Sequence, residues 1–429
     1  MRLSRRQVLA GAAATVAATA VPASWLLLRH SEGRPQTVGP EHVILVDWDG
    51  FDPDYLSRAP TPNIDALASR GSLSIAESTF TTKSNPTRAS MSTGAYPEVH
   101  GNAAYYFDEE TNQAVGQTRF LAAETISQAL AAQGRTTAAI QWYMVQDHGT
   151  SFGDPEHLYV ESGGLFEQRV DAAIEILNLR PVDSGGKMVT VPKIPDFLAI
   201  YSADLDAFGH TEGAEGPNLG PLLAELDRQL GRLVQTTKDV GIYEQTAFLL
   251  TSDHGMTTWH RSLTERLATM TVFGRHPEIV PPGRPPSHGA EIIVVSAGRI
   301  ADVTLRGRAA TSQGREDVRT ALEGLPHVSR VLDAADLEAL HASGKLGDFV
   351  LEAKAPWGFG PQQDKAVRGG HGSTLEMRVP LLIAGAGVRA GSAPRGAGLV
   401  DVAPTIAALL GARPPADAQG RALGEMLNV

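Results

Sequence analysis

Residues 247–256 read AFLLTSDHGM, an uninterrupted apolar run that ends in polar residues and a glycine. A short apolar run without alternation is typical of a strand covered on both faces, as in a parallel sheet. Asp253 and His254 follow the run directly, and Gly255 permits the tight turn at which such a strand ends. The stretch therefore predicts a buried strand that presents a carboxylate and an imidazole at its carboxyl end.

The same arrangement recurs elsewhere in the chain. Further strands are predicted at residues 42–46 (HVILV), 197–201 (FLAIY) and 379–384 (VPLLIA). Asp49 follows the first of these runs, Asp206 and His210 follow the second, and His371 precedes the third. Because open α/β sheets hold their ligands at the carboxyl ends of strands, we expect these side chains to converge at one edge of a sheet.

Helical patterns alternate with these strands, which indicates the α/β class. Pro62 and Gly71 bound an amphipathic helix at about 61–68, and another lies at 222–230. The stretch at 257–365 differs, because a proline-rich segment, one strand and one helix follow each other without the same alternation. We predict a catalytic α/β core at 40–256 and 366–429 with an α+β insertion, or cap, at 257–365.

Composition restricts the chemistry. The 429 residues include no cysteine, so any metal must be bound by His, Asp, Glu or a hydroxyl group. The net charge of −11 disfavours binding to a nucleic-acid polymer through counterion release, so we expect no nucleic-acid polymer as a partner. A small phosphate ester remains a possible ligand, because bound divalent ions reverse the local charge.

The amino terminus predicts export. Within residues 1–30, Arg5 and Arg6 precede an alanine-rich apolar run, as in a twin-arginine signal. The protein is then a passenger of the twin-arginine translocase and periplasmic, secreted or membrane-tethered. An N-terminal membrane anchor is the alternative, since the apolar stretch continues to Leu28.

A hydroxyl-bearing segment adds a nucleophile. Residues 81–101 read TTKSNPTRASMSTGAYPEVHG. Within them, residues 82–86 resemble the Thr-Lys-Thr-x-Pro nucleophile motif of the type I phosphodiesterase and nucleotide pyrophosphatase branch of the alkaline phosphatase superfamily, with Ser84 in the reactive place. Further matches occur at residues 49–51, 93–101, 206–210, 252–256 and 401–405. The resemblance covers about 40–256 and 366–425.

This resemblance implies a three-layer α/β/α sandwich with a mostly parallel central sheet. It also implies an enzyme that hydrolyses phosphodiester or pyrophosphate bonds of a small, nucleotide-like substrate through a covalent Ser84 intermediate. Carried over by position, one zinc ion is bound by Asp206, His210 and His371. The other zinc ion is bound by Asp49, Asp253, His254 and the oxygen of Ser84. Asn102 is the candidate for the asparagine that contacts a phosphoryl oxygen, and the candidate substrate contacts are Lys83, Arg88 and Trp142.

Three alternatives stay open. The segment from Ser84 to Gly94 also matches the sulfatase signature, in which the serine becomes formylglycine and Arg88 braces it; otherwise Arg88 is a surface charge. Sulfatases bind one calcium ion through oxygen ligands, whereas three histidines favour zinc. Phosphomonoesterases and phosphonate hydrolases place a basic residue beside the second apolar strand, but residues 137–144 have none. There Trp142 is either an aromatic wall for a diester or plain core. A metal-binding protein without activity is the third alternative.

Overall fold

The structure is a computed structural model that describes residues 39–360 and 367–429. The segment at 1–30, predicted to be a twin-arginine signal, lies outside these residues. The strands are β1 (His42–Trp48), β2 (Gly71–Glu77), β3 (Tyr106–Asp108), β4 (Gln113–Val115), β5 (Thr137–Ile140), β6 (His157–Val160), β7 (Val182–Ser184), β8 (Lys187–Val189), β9 (Phe197–Ser202), β10 (Thr246–Thr251), β11 (Thr257–Trp259), β12 (Arg261–Ser262), β13 (Glu278–Ile279), β14 (Ile292–Ala297), β15 (Ile300–Leu305), β16 (Val328–Leu332), β17 (Phe349–Ala353), β18 (Trp357–Gly358), β19 (Arg368–Gly370) and β20 (Arg378–Gly385). The helices are α1 (Pro62–Ala68), α2 (Ser84–Thr93), α3 (Pro97–His100), α4 (Ile126–Ala131), α5 (Phe166–Leu177), α6 (Asp204–Glu212), α7 (Leu219–Asp239), α8 (Thr264–Thr269), α9 (Ser312–Glu323), α10 (Ala334–Ala339) and α11 (Val402–Leu409). Across the described ranges, no helix combines the length and apolar character that crossing a bilayer requires.

A seven-stranded sheet forms the centre, in the order β2-β20-β10-β1-β9-β5-β6. The five strands from β10 to β6 pair in parallel, whereas β20 is antiparallel to both of its neighbours. The apolar runs that predicted strands at 42–46, 197–201, 247–251 and 379–384 correspond to β1, β9, β10 and β20. The predicted mostly parallel sheet is confirmed.

Helices cover both faces of this sheet. Side chains of β1 alternate between two cores: Ile44 and Val46 pack with α1, α5 and α7, whereas Val43 and Leu45 pack with α2, α4 and α11. A strand buried on both faces needs apolar residues at every position, which explains the unbroken run at 42–46. The expected three-layer arrangement is confirmed.

The insertion contains its own antiparallel sheet, in the order β13-β14-β15-β17-β16. Helix α9 packs on it through Val318 and Leu322, in a core that includes Val294 and Val303. These elements enter the chain between β10 and β20. This second sheet and its helix therefore lie, along the chain, between two neighbouring strands of the main sheet.

The direction of β20 determines what reaches the carboxyl edge of the parallel strands. Because β20 runs opposite to β10, its first residue lies at that edge, and the segment before it arrives there. Strand β2 runs opposite to β20, so its carboxyl end lies at the same edge. Residues 78–84, which follow β2, and residues 371–377, which precede β20, therefore meet beside the loops after β1, β9 and β10.

Candidate active site and metal centre

The predicted ligands converge at this edge in two overlapping groups. In each group, one ligand atom per residue lies within 4.8 Å of the others. The first ligand cluster is Asp206, His210 and His371, and the second ligand cluster is Asp49, Asp206 and His254. The first set is the one proposed from the sequence. In the second, Asp206 appears as a shared member, and Asp253 lies alongside with its Oδ2 3.2 Å from His254 Nε2.

Backbone carbonyl groups fix the orientation of all three imidazoles. The Nδ1 atoms lie 3.1 Å from Gly369 O for His210, 3.0 Å from Gly255 O for His254 and 2.6 Å from Thr82 O for His371. Since a carbonyl oxygen can only accept, each Nδ1 carries the proton and each Nε2 keeps a lone pair. Hydrogen bonds of this kind are the usual support of metal-binding histidines.

The Nε2 atoms face each other closely. His210 Nε2 lies 3.2 Å from His371 Nε2, and the rings of His254 and His371 stack at 3.6 Å. Burial lowers the pKa of all three histidines, to about 3 for His254, so they are neutral at physiological pH. Two neutral acceptor nitrogens have no attraction for each other at this distance. A cation between them explains the arrangement.

The carboxylates require the same explanation. Asp49 Oδ1 and Asp206 Oδ1 are buried and have no hydrogen-bond partner in the described part of the chain, and Asp253 Oδ2 forms an ion pair with Arg88 at 3.1 Å but no hydrogen bond there. Burial and neighbouring carboxylates raise the pKa values of Asp206 and Asp253 well above the ordinary value. Orphaned buried oxygens facing neutral imidazoles fit a divalent cation of the zinc, manganese or iron type.

Arg88 lies beneath the site and not on the surface. Its fully buried guanidinium is 2.7 Å from Asp47, 2.9 Å from Asp49 and 3.1 Å from Asp253. Trp142 is also fully buried, and its indole N–H donates to Asp47 at 3.2 Å. The structure thus places both predicted substrate contacts in a supporting layer behind the ligands. Their polar groups engage Asp47, a residue that the sequence interpretation did not assign to the site.

Ser84 is the first residue of α2, and its Oγ lies 3.3 Å from His254 Nε2. The preceding strand β2 and the segment 78–83 deliver it to the carboxyl edge, half-buried beside the second ligand cluster. A helix N-terminus favours an anion, because its first N–H groups are unpaired and the helix dipole is positive there. The hydroxyl therefore has an anion-binding environment on one side and metal ligands on the other.

Lys83 and Asn102 bind protein groups. The Lys83 ammonium donates to His371 O at 2.7 Å and to Ala297 O at 3.0 Å, and burial lowers its pKa to about 8. The Asn102 amide donates to the carbonyls of Thr118 and Phe120 at 3.1 and 2.7 Å, within the core. Lys83 therefore ties the insertion to the metal-ligand segment, and the amide hydrogens of Asn102 are already used.

Tyr201 is a supporting residue that the sequence interpretation missed. It is the fifth residue of β9, and its hydroxyl donates to Asp49 Oδ2 at 2.7 Å. The other oxygen of Asp49 is left for a ligand. The run at 197–201 showed a strand, but a tyrosine within an apolar run is as often a core residue, so its role required the three-dimensional arrangement.

Comparisons with known proteins agree with this geometry. Residues 43–374 match the sequence model of the type I phosphodiesterase/nucleotide pyrophosphatase family. Bis(5'-adenosyl)-triphosphatase enpp4 of Xenopus laevis is 31% identical over 224 residues, which cover 50% of this chain and 47% of the relative. The chain spans about half the length of the curated relatives that it matches.

Solved structures share the fold. Human ectonucleotide pyrophosphatase/phosphodiesterase 5 superposes with a TM-score of 0.72 at 22% identity, covering 90% of this chain and 100% of that one. An inactive threonine-to-alanine variant of the murine protein, in complex with AMP, gives 0.69 at 20% identity and covers 87% and 96%. The family match extends over the strands that carry the ligands as far as His371. The chain belongs to the type I phosphodiesterase/nucleotide pyrophosphatase family.

Proposed function

We propose that this protein is a metal-dependent phosphoric ester hydrolase that cleaves phosphodiester or pyrophosphate bonds through a covalent intermediate on Ser84. One observation carries the proposal: Ser84 Oγ lies 3.3 Å from His254 Nε2, at the edge of two ligand clusters that share Asp206. That separation suits two ligands of a single cation, so the hydroxyl and the imidazole address the same position. Family membership supports the same chemistry.

In the first step, Ser84 Oγ attacks phosphorus, the bond from phosphorus to the leaving oxygen breaks, and the serine proton passes to solvent. In the second, water attacks the phosphorus of the serine ester, which still carries the other substituent; the bond between phosphorus and Oγ breaks, the attacking water loses a proton and Ser84 recovers one. Divalent ions, when bound, supply positive charge that lowers the pKa of the Ser84 hydroxyl and offsets charge on the phosphoryl oxygens. The start of α2 orients Ser84 for in-line attack and adds its helix dipole.

A diester or pyrophosphate is the proposed substrate class. A terminal phosphate monoester carries an extra negative charge, but the two basic residues beside Ser84 are occupied. Lys83 is held by two carbonyl groups and Arg88 by three carboxylates. Nucleotide-like substrates are favoured because one relative is named a bis(5'-adenosyl)-triphosphatase and a structural neighbour binds AMP.

We further propose two zinc ions as the cofactor, since nitrogen donors contribute to both clusters. Export by the twin-arginine translocase is proposed from Arg5 and Arg6 and the alanine-rich apolar run that follows them. Family membership argues against the sulfatase alternative. Mass spectrometry of the peptide that contains Ser84 distinguishes the two, because formylglycine has a different mass from serine.

The test compares Ser84→Ala with wild type after metal analysis of both. Wild type should turn over bis-p-nitrophenyl phosphate faster than p-nitrophenyl phosphate, and Ser84→Ala should lose turnover while it keeps its metal. Ser92→Ala is the matched control, because that buried serine of the same helix donates to Ala89 O and to no other group in the described ranges. Near-wild-type turnover in Ser84→Ala with intact metal eliminates the covalent mechanism, and a preference for the monoester eliminates the diesterase assignment.

A further inference from the structure

A phosphoryl group can accept a hydrogen bond from a neutral side-chain donor that the protein has not already used. Asn102 does not qualify, because its amide donates to two carbonyl groups and its side chain is fully buried. Tyr105 lies three residues further along, in the segment between α3 and β3, and it is only half-buried.

Tyr105 lies beside the metal-ligand segment. The Lys83 ammonium is 5.4 Å from the centre of the Tyr105 ring, within the range of a cation–π contact. That same ammonium is 2.7 Å from His371 O, so Tyr105, Lys83 and His371 form a continuous series of contacts. Tyr105 also packs against a small apolar core that includes Val295 of β14. The ring is therefore fixed between the insertion and the first ligand cluster.

The backbone of Tyr105 is held in an unfavourable conformation. Its φ is +57°, in the left-handed region that bulky side chains rarely adopt. The Tyr105 N–H donates to Gly116 O at 3.3 Å, and the next residue, Tyr106, begins the pairing of β3 with β4. Conformations of this kind persist where surrounding contacts enforce them, and they cluster at functional sites.

The hydroxyl of Tyr105 is available. Among residues 39–360 and 367–429, no hydrogen bond to it is formed, in contrast to Tyr201 and Tyr143, whose hydroxyls are engaged. Burial, and after it the charge of Asp206, raises the pKa of the Tyr105 phenol. The group is thus a proton-bearing donor at neutral and mildly alkaline pH.

We propose that Tyr105 contacts the substrate and that its hydroxyl donates a hydrogen bond to a non-bridging oxygen of the phosphoryl group bound between Ser84 and Asp206. This inference rests on the proposed function of the same site. Tyr105 is then a catalytic residue, whereas Lys83 is a positioning residue that holds both its ring and the His371 segment.

The test is Tyr105→Phe in the metal-loaded protein, with Tyr106→Phe as the matched control. A hydrogen bond to a charged group corresponds to about a 10-fold to 100-fold effect, so kcat/KM for bis-p-nitrophenyl phosphate should fall by that factor. The affinity for inorganic phosphate, measured by calorimetry, should weaken by about 10-fold or more in the same variant. Metal content should stay unchanged, and Tyr106→Phe should behave as wild type.

Three results overturn the proposal: Tyr105→Phe within about twofold of wild type in both measurements, loss of metal in Tyr105→Phe, or an equal loss in Tyr106→Phe. Wild-type protein that hydrolyses no diester refutes the proposed function instead. In that case the phosphate titration still decides whether Tyr105 is the donor.

Discussion

Removing the buried guanidinium of Arg88 tests how the ligand layer is supported. Asp47 and Arg88 are both fully buried, and Arg88 Nε lies 2.7 Å from Asp47 Oδ2. The Trp142 indole is the other hydrogen-bond donor to the Asp47 carboxylate in the described structure. In Arg88→Met the Asp47 carboxylate loses its charge partner. Breaking a buried pair from one side costs about 3–5 kcal/mol. That is a large part of a total stability of about 5–15 kcal/mol.

The stability that Arg88→Met loses relative to wild type should increase with pH. Burial raises the pKa of Asp47 above its ordinary value, and Arg88 opposes that rise. Without Arg88 the folded-state pKa rises further, and the folded protein binds more protons than the unfolded chain. Stability from such a group is lost as the pH rises through its folded pKa, so the deficit should grow from about pH 5 to about pH 8.

Urea denaturation of metal-loaded wild type and Arg88→Met at both pH values measures this deficit. Arg119→Met is the matched control, because that exposed guanidinium has one hydrogen bond, to Gln146 at 2.7 Å, and should change stability by less than about 0.5 kcal/mol. A deficit for Arg88→Met below about 1 kcal/mol at the higher pH refutes the reasoning. So does a deficit that shrinks as the pH rises.

The remaining predictions concern the metal site, the insertion and their junction. His210→Ala removes a ligand from the first ligand cluster alone, so metal content should fall by about one equivalent, measured by plasma mass spectrometry; loss of both ions or of neither contradicts two separate centres. Burial raises the pKa of Asp302 to about 7. The free energy of unfolding of wild type minus that of Asp302→Asn should therefore decrease from about pH 4 to about pH 7. A difference in urea denaturation that stays constant over this range contradicts the prediction. Glu376→Gln should lower the free energy of unfolding by about 3–5 kcal/mol, because Glu376 Oε1 lies 3.4 Å from Arg299 Nε and both side chains are inaccessible to solvent. The double variant with Arg299→Met should recover part of that loss in thermal unfolding, whereas strictly additive losses mean that the two residues are not coupled.

Unbroken apolar runs made the central strands predictable, because only a strand covered on both faces needs every residue to be apolar. Strand β2 escaped prediction for the opposite reason. It is an edge strand whose Ile75 is 42% exposed, and serines at 72 and 74 interrupt its apolar pattern. The antiparallel direction of β20 could not be predicted from the sequence either, since an apolar run does not show whether its strand pairs in parallel or antiparallel. That direction nevertheless brings His371 to the other candidate ligands.

The candidate metal ligands could be proposed from the sequence because their chemistry is local: a histidine or aspartate beside a strand end is already a candidate. The tripeptide Asp-His-Gly, which occurs at 253–255 and again at 147–149, is not sufficient by itself to predict a ligand site. The copy at 147–149 lies in a turn in which Asp147 N–H donates to Thr150 O at 2.7 Å. The positions of Arg88 and Trp142 were not predictable. Both depend on Asp47, whose carboxylate is buried by residues far from it in sequence.

The order of the ligands along the chain has a consequence for biosynthesis. Asp49, Ser84, Asp206, His210 and His254 emerge from the ribosome before the insertion, and His371 and β20 emerge after it. A nascent chain that has completed only the insertion lacks one of the three ligands of the first cluster and the strand between β2 and β10. Since domains form as the chain is synthesised, the first cluster is complete only after His371 has been translated. The first ligand cluster is therefore completed late in the synthesis of each molecule, and a translation product that ends before His371 lacks part of it.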